Sequence, residues 1–177
     1  MRLFIALSPS EEAKAALERD LNALRKCCRK GSFSRAENLH ITLAFLGEVP
    51  EERLDDLRAA MDGCGAGPFG VTIGDLGRFR GREGDTLVLR VDGGDPLRAL
   101  QKKLSENLIS KGFALEDRAF RPHLTLARRA SLREGETIPT VSARLEPVSF
   151  TAERMVLYLS HRPEGVLTYT PLFTETL

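Results

Sequence analysis

The chain has no tryptophan, and only three cysteines and three histidines among its 177 residues. The cysteines are Cys27, Cys28 and Cys64, an odd set with two adjacent members and no C-x-x-C. That pattern supports no disulfide framework, no zinc site and no thioredoxin-type redox pair. Cys27 and Cys28 read instead as small packing residues on a helix. No apolar run approaches the roughly 20 residues of a membrane-spanning helix. The opening Leu3-Phe4-Ile5-Ala6-Leu7 is too short for the hydrophobic part of a signal peptide. These absences predict a cytoplasmic protein with no membrane partner. An excess of charge of one sign is also missing: 26 Lys and Arg against 25 Asp and Glu leave a net charge of +1. A surface that grips duplex nucleic acid through uniform positive potential is therefore not expected. No G-x-x-x-x-G-K-[S/T] occurs, so an NTP-driven reaction has no visible support. The length suits one domain, residues 1–177, and a monomer is expected.

What the chain does have is a repeated pentapeptide. His40-Ile41-Thr42-Leu43-Ala44 returns as His123-Leu124-Thr125-Leu126-Ala127, so two of the three histidines sit in one pattern. Both segments read as short buried strands, 39–46 and 123–127. Residues i and i+2 of a strand share a face. His40 therefore projects with Thr42, and His123 with Thr125. The same alternation sends Ile41, Leu43 and Phe45 to the opposite, core-facing side. Histidine has the side chain that titrates nearest neutrality, so a pair can divide acid and base duties. Threonine hydroxyls can donate to oxygens on which negative charge develops. Side by side, the two strands would present groups suited to in-line attack on a phosphodiester with no metal. A single His-x-Thr is more often a half-buried histidine bonded to its neighbour; two matched copies favour chemistry.

Taken in order, residues 2–7 predict a strand, and Ser8-Pro9-Ser10-Glu11 a capping box opening a helix that runs to about residue 29. Gly31 ends that helix, and Phe33 to Arg35 form a short strand before the first motif. A second helix spans about 50–62, with Leu54, Leu57 and Met61 inward. Strands at 69–80 and 86–91 flank a glycine-rich hairpin loop. A third helix follows from Asp95-Pro96 to Gly112. Beyond the second motif, 130–139 reads as a polar loop and 141–150, 153–160 and 166–175 as strands. Runs of consecutive strands predict antiparallel pairing and an α+β class, with each half carrying one long helix and one His-x-Thr strand. Arginines 118, 121, 128, 129 and 133 gather near the second motif, either as a phosphate patch or as a solvated face. His161, in Ser160-His161-Arg162-Pro163, is expected in a surface turn.

The paired motifs, with Glu37-Asn38-Leu39 before the first, Phe45-Leu46-Gly47-Glu48 after it and Phe120-Arg121-Pro122 before the second, resemble the two-histidine phosphoesterase superfamily. Within it the likeness is to the bacterial and archaeal RNA 2′,3′-cyclic phosphodiesterases, also called 2′-5′ RNA ligases. The chain departs from it at Phe33-Ser34-Arg35, where members often carry tryptophan. The resemblance implies two pseudo-symmetric lobes of antiparallel sheet with outer helices and a central cleft. It implies no cofactor and a substrate that is RNA with a 2′,3′-cyclic phosphate end, or a cyclic nucleotide, opened to a 2′-phosphate. It implies His40 as proton donor and His123 as proton acceptor, a choice the symmetric motifs leave open. Thr42 and Thr125 would hold the phosphate, and Arg128, Arg121 and Phe45 are further candidate contacts, although alternation puts Arg128 on the Leu126 face. ATP-independent 2′-5′ joining is the same chemistry reversed. The alternatives are another cyclic or 2′,5′-linked nucleotide as substrate, or a non-catalytic module that binds RNA ends.

Overall fold

The apolar runs pair edge to edge into one nine-stranded sheet in the computed structural model, which describes residues 1–177. The strands are β1 (Arg2–Leu7), β2 (Cys28–Phe33), β3 (Ile41–Glu48), β4 (Phe69–Phe79), β5 (Asp85–Asp92), β6 (His123–Leu132), β7 (Val148–Ala152), β8 (Arg154–His161) and β9 (Thr168–Thr176). The helices are α1 (Glu11–Cys27), α2 (Leu54–Asp62), α3 (Gly94–Ser110) and the short α4 (Ile138–Ser142). Across the sheet the order is β7-β4-β5-β6-β3-β1-β8-β9, with β2 also on β6. Every pairing is antiparallel, the α+β arrangement the strand runs predicted.

The helices cover the sheet with apolar stripes at helical spacing. Leu17, Leu21 and Leu24 of α1 are buried, as are Leu97, Leu100, Leu104 and Leu108 of α3. The inward residues of β1, Leu3, Ile5 and Leu7, are fully buried beneath them. The strands β3 and β6 meet at the centre through one recorded pair, Ile41 opposite Leu124. That seam divides the sheet into β7-β4-β5-β6 on one side and β3-β1-β8-β9 on the other.

Several local expectations need correction. The cap of α1 is Ser10, whose hydroxyl accepts from the Ala13 N–H, so Ser8 is no cap and Pro9 precedes the helix. Glu11 and Glu12 then fall in the first turn, where the helix dipole favours acids. The helix stops at Cys27, and Cys28 opens β2, because residues 28–33 find hydrogen-bonding partners along β6. Gly31 therefore lies within a strand, where its missing side chain admits Ala130: a Cβ there would stand 3.1 Å from the alanine methyl. The second motif strand runs on to Leu132, and the stretch read as the start of a strand at 141 is the end of α4, capped by Thr137. His161 ends β8, half-buried, with Nε2 2.8 Å from the Thr170 hydroxyl.

Candidate active site

Ile41 and Leu124 are the second residues of the two motifs, and they face each other across the seam. Both are fully buried, pointing into the core. Carried one residue either way, the antiparallel register sets His40 opposite Thr125 and Thr42 opposite His123. Directly opposed residues project to one face. All four therefore point away from the core, and they line one cleft of about 600 Å³.

Alternation fails just beyond each threonine. On β3, Thr42 opposes Ala6 and Ala44 opposes Ile5, leaving Leu43 as an extra residue. On β6, Thr125 opposes Val88 and Ala127 opposes Leu87, leaving Leu126 as an extra residue. Each motif thus carries a β-bulge at its leucine, and a bulge re-aims every side chain that follows. The expectation that Phe45 shares the core face with Ile41 is therefore wrong: Phe45 opposes Phe4, which shares a face with Ala6 and hence with Thr42. The conflict over Arg128 ends in the same way, since the bulge returns it to the Thr125 face. Phe45 and Arg128, each three residues past a motif threonine, both line the cleft. A further irregularity follows in β6, where Arg129 has φ 51, a left-handed conformation costly for a side-chain-bearing residue. The hairpin between β4 and β5 packs onto it so closely that a Cβ on Gly84 would stand 2.7 Å from the Arg129 carbonyl carbon.

The histidines are held alike. His40 Nδ1 lies 2.7 Å from the Asn38 carbonyl oxygen, and His123 Nδ1 lies 2.7 Å from that of Arg121. A carbonyl oxygen only accepts, so Nδ1 carries a proton in both rings. Nε2 is then left to accept a proton when the ring is neutral and to donate one when it is charged. The surroundings differ sharply. The ring of His40 packs against Phe4 at 4.8 Å and meets Tyr169 edge-on at 5.1 Å. Burial, aided by the charges of Arg128 and His123 and opposed by the Asn38 carbonyl, lowers its pKa to about 4. The Nδ1 bond of His123 is exposed, and its only aromatic neighbour is Phe79, 5.1 Å away.

A family model described as the 2′-5′ RNA ligase superfamily matches residues 11–164. The chain belongs to this superfamily of two-histidine phosphoesterases. An RNA 2′,3′-cyclic phosphodiesterase of Geobacillus stearothermophilus is 34% identical over 129 residues, 71% of this chain but 41% of that protein. One from Escherichia coli is 34% identical over 140 residues, 77% of this chain and 74% of that one. The fold is similar to that of E. coli LigT crystallised with 3′-AMP, with a TM-score of 0.80 and 30% identity over 99% of this chain and 97% of that one.

Beyond the paired motifs that mark the superfamily, other residues stand against the two histidines or line the cleft. Phe4 and Tyr169 wall His40, and Phe79 stands beside His123. Gln101 of α3 reaches the cleft and approaches the carbonyl of the bulged Leu43. None belongs to a motif; each comes from an element far along the chain. Arg121, exposed, lines the cleft and supplies the carbonyl that orients His123.

Proposed function

We propose that this chain hydrolyses RNA 2′,3′-cyclic phosphate ends to 2′-phosphomonoesters with two histidines and no cofactor. The observation that carries the reading is the identical Nδ1 tether on His40 and His123, which leaves two Nε2 atoms free at one cleft. Relatives named RNA 2′,3′-cyclic phosphodiesterase support the substrate class.

In this scheme His123, the more open ring, takes the proton of the attacking water at Nε2. The phosphorus–oxygen bond to the ribose 3′ oxygen breaks, and His40 Nε2 gives that oxygen a proton. A pKa lowered to about 4 leaves the free His40 ring neutral near pH 7, so the donor role requires a proton held there once substrate is bound. The substrate's phosphate brings the negative charge that lets His40 hold its proton, since an anion nearby favours the imidazolium. Thr42 and Thr125 donate to the non-bridging oxygens, and Arg128 offsets their charge. Phe45 packs beside them, under the guanidinium of Arg2. With a 5′-hydroxyl in place of water, the reverse path joins a 2′-5′ linkage without ATP. We read residues 1–177 as one domain in which the His-x-Thr strand is duplicated, a reading supported by the matching bulges at Leu43 and Leu126.

The test is turnover of adenosine 2′,3′-cyclic phosphate, with the product identified by phosphorus NMR. His40→Ala and His123→Ala should each cost roughly 10²–10⁴-fold in rate while the circular dichroism is unchanged. Thr42→Ala and Thr125→Ala should cost less. Near-normal turnover by either folded histidine variant, or a 3′-phosphate product, overturns the scheme.

A further inference from the structure

Asn38 is bonded through both its backbone and its side chain. Its backbone carbonyl oxygen lies 2.7 Å from His40 Nδ1, and its side-chain amide donates to the Leu167 carbonyl oxygen at 2.9 Å. A carbonyl oxygen only accepts, so the amide nitrogen of Asn38 faces Leu167. Asn38 ends the 3-10 turn Ala36–Asn38, whereas Leu167 stands immediately before β9. Two residues beyond Leu167, Tyr169 meets the His40 ring edge-on. One half-buried side chain therefore ties the turn that orients His40 to the strand that walls it.

The matching tether on the other motif is held differently. Pro122, between Arg121 and His123, accepts from the Val91 N–H at 3.3 Å, so the backbone that orients His123 is carried by β5. The backbone bonds of the turn before His40 are local, from the Asn38 N–H to Arg35 and from the Leu39 N–H to Ala36. The loop between β8 and β9 is bonded just as locally: the Gly165 N–H to Arg162, the Val166 N–H to Pro163 and the Thr168 hydroxyl to Val166. That loop is exposed over residues 162–166 and turns through two left-handed residues, Glu164 at φ 51 and Gly165 at φ 82. The bond from Asn38 to Leu167 is what crosses between these two local structures.

We propose that Asn38 is a positioning residue for the proton donor, its side chain fixing the carbonyl that sets the direction of His40 Nε2. The proposal rests on His40 being that donor. Without the amide, the carbonyl swings, the ring loses its fixed tautomer and Nε2 leaves the line to the departing 3′ oxygen. Misplacing a reacting group by about 1 Å costs up to roughly 10²-fold in rate.

Asn38→Ala should keep its circular dichroism and lower kcat for adenosine 2′,3′-cyclic phosphate about ten- to a hundredfold, with KM nearly unchanged. Asn38→Gln, which retains an amide donor, should recover part of the loss. Nitrogen-15 NMR at about pH 8, where an unperturbed imidazole is neutral, reads the ring itself. The His40 signals are identified by their absence from His40→Gln. In Asn38→Ala the His40 Nε2 signal should move toward that of a protonated nitrogen, as Nδ1–H loses its fixed partner, while the His123 signals stay. A purely structural role would lower stability and leave both kcat and the His40 tautomer alone. Unchanged kcat, a fall in kcat with the His40 signals unmoved, or Asn38→Gln no better than Asn38→Ala overturns the proposal. An inactive His40→Ala beside a fully active Asn38→Ala removes this inference and leaves the donor standing. Turnover by His40→Ala removes the donor instead, and the NMR shift alone then decides whether Asn38 orients the ring.

Discussion

The Ser34 hydroxyl donates to the carbonyl oxygen of Thr125 at 2.7 Å, and the Ser34 N–H donates to that of Leu126 at 2.8 Å. The segment leading into the first motif thus braces the bulge of the second. Removing the hydroxyl in Ser34→Ala should cost about 1 kcal/mol of stability. It should also lower kcat by roughly ten- to a hundredfold through misplacement of Thr125 and Arg128, with KM nearly unchanged. Ser34→Thr should restore kcat. A rate equal to wild type in the alanine variant would show that the backbone bond alone holds the bulge.

His40 makes stability depend on pH. Its pKa is lowered from 6.5 to about 4 in the folded chain, so between those values the unfolded chain binds more protons. The contribution is therefore complete above about pH 6.5 and is lost progressively as pH falls toward 4. At stake is about 3 kcal/mol. Urea unfolding across that window should show a steeper loss in wild type than in His40→Gln, and parallel curves would count against the burial argument.

The pH–rate profiles should separate the free protein from its complex. The limb of kcat/KM set by His40 reports its free-protein pKa, lowered to about 4, and the corresponding limb of kcat reports it with phosphate bound. The second limb should lie at higher pH, because the bound anion favours the imidazolium. Arg128→Ala should move the first limb upward, since the guanidinium is one of the charges holding His40 down. Coincident limbs, or a shift in the other direction, would place the donor elsewhere.

Turnover should persist in EDTA. Both Nδ1 atoms are committed to backbone carbonyls, and the charged side chains lining the cleft, Arg118, Arg121 and Arg128 against Glu116, are net positive, which opposes a divalent ion and favours an anion. Loss of activity on chelation, restored by a defined metal, would contradict this.

The chain's own order carries a good deal. The twofold His-x-Thr-Leu-Ala, read with a period of two, puts an imidazole and a hydroxyl on one face of each strand. The leucine spacings of α1 and α3 are equally local, as is the antiparallel class, which follows from consecutive strands with short connections. Such properties depend on neighbours within a few residues, and a sequence displays those directly. Three things lay beyond it. The seam pairing of Ile41 with Leu124, which sets each histidine across from the other motif's threonine, is a contact between residues 83 positions apart. The bulges at Leu43 and Leu126, which turn Phe45 and Arg128 into the cleft, arise from matching β3 to β1 and β6 to β5. No local propensity encodes an extra residue in a ladder, so alternation sent Phe45 and Arg128 to the wrong face. The difference between the histidines is likewise tertiary. Two near-identical pentapeptides acquire different surroundings: Phe4 and Tyr169 close over His40, while the Nδ1 bond of His123 is exposed and its ring meets Phe79. Desolvation is a property of what surrounds a group, and only the folded chain decides that.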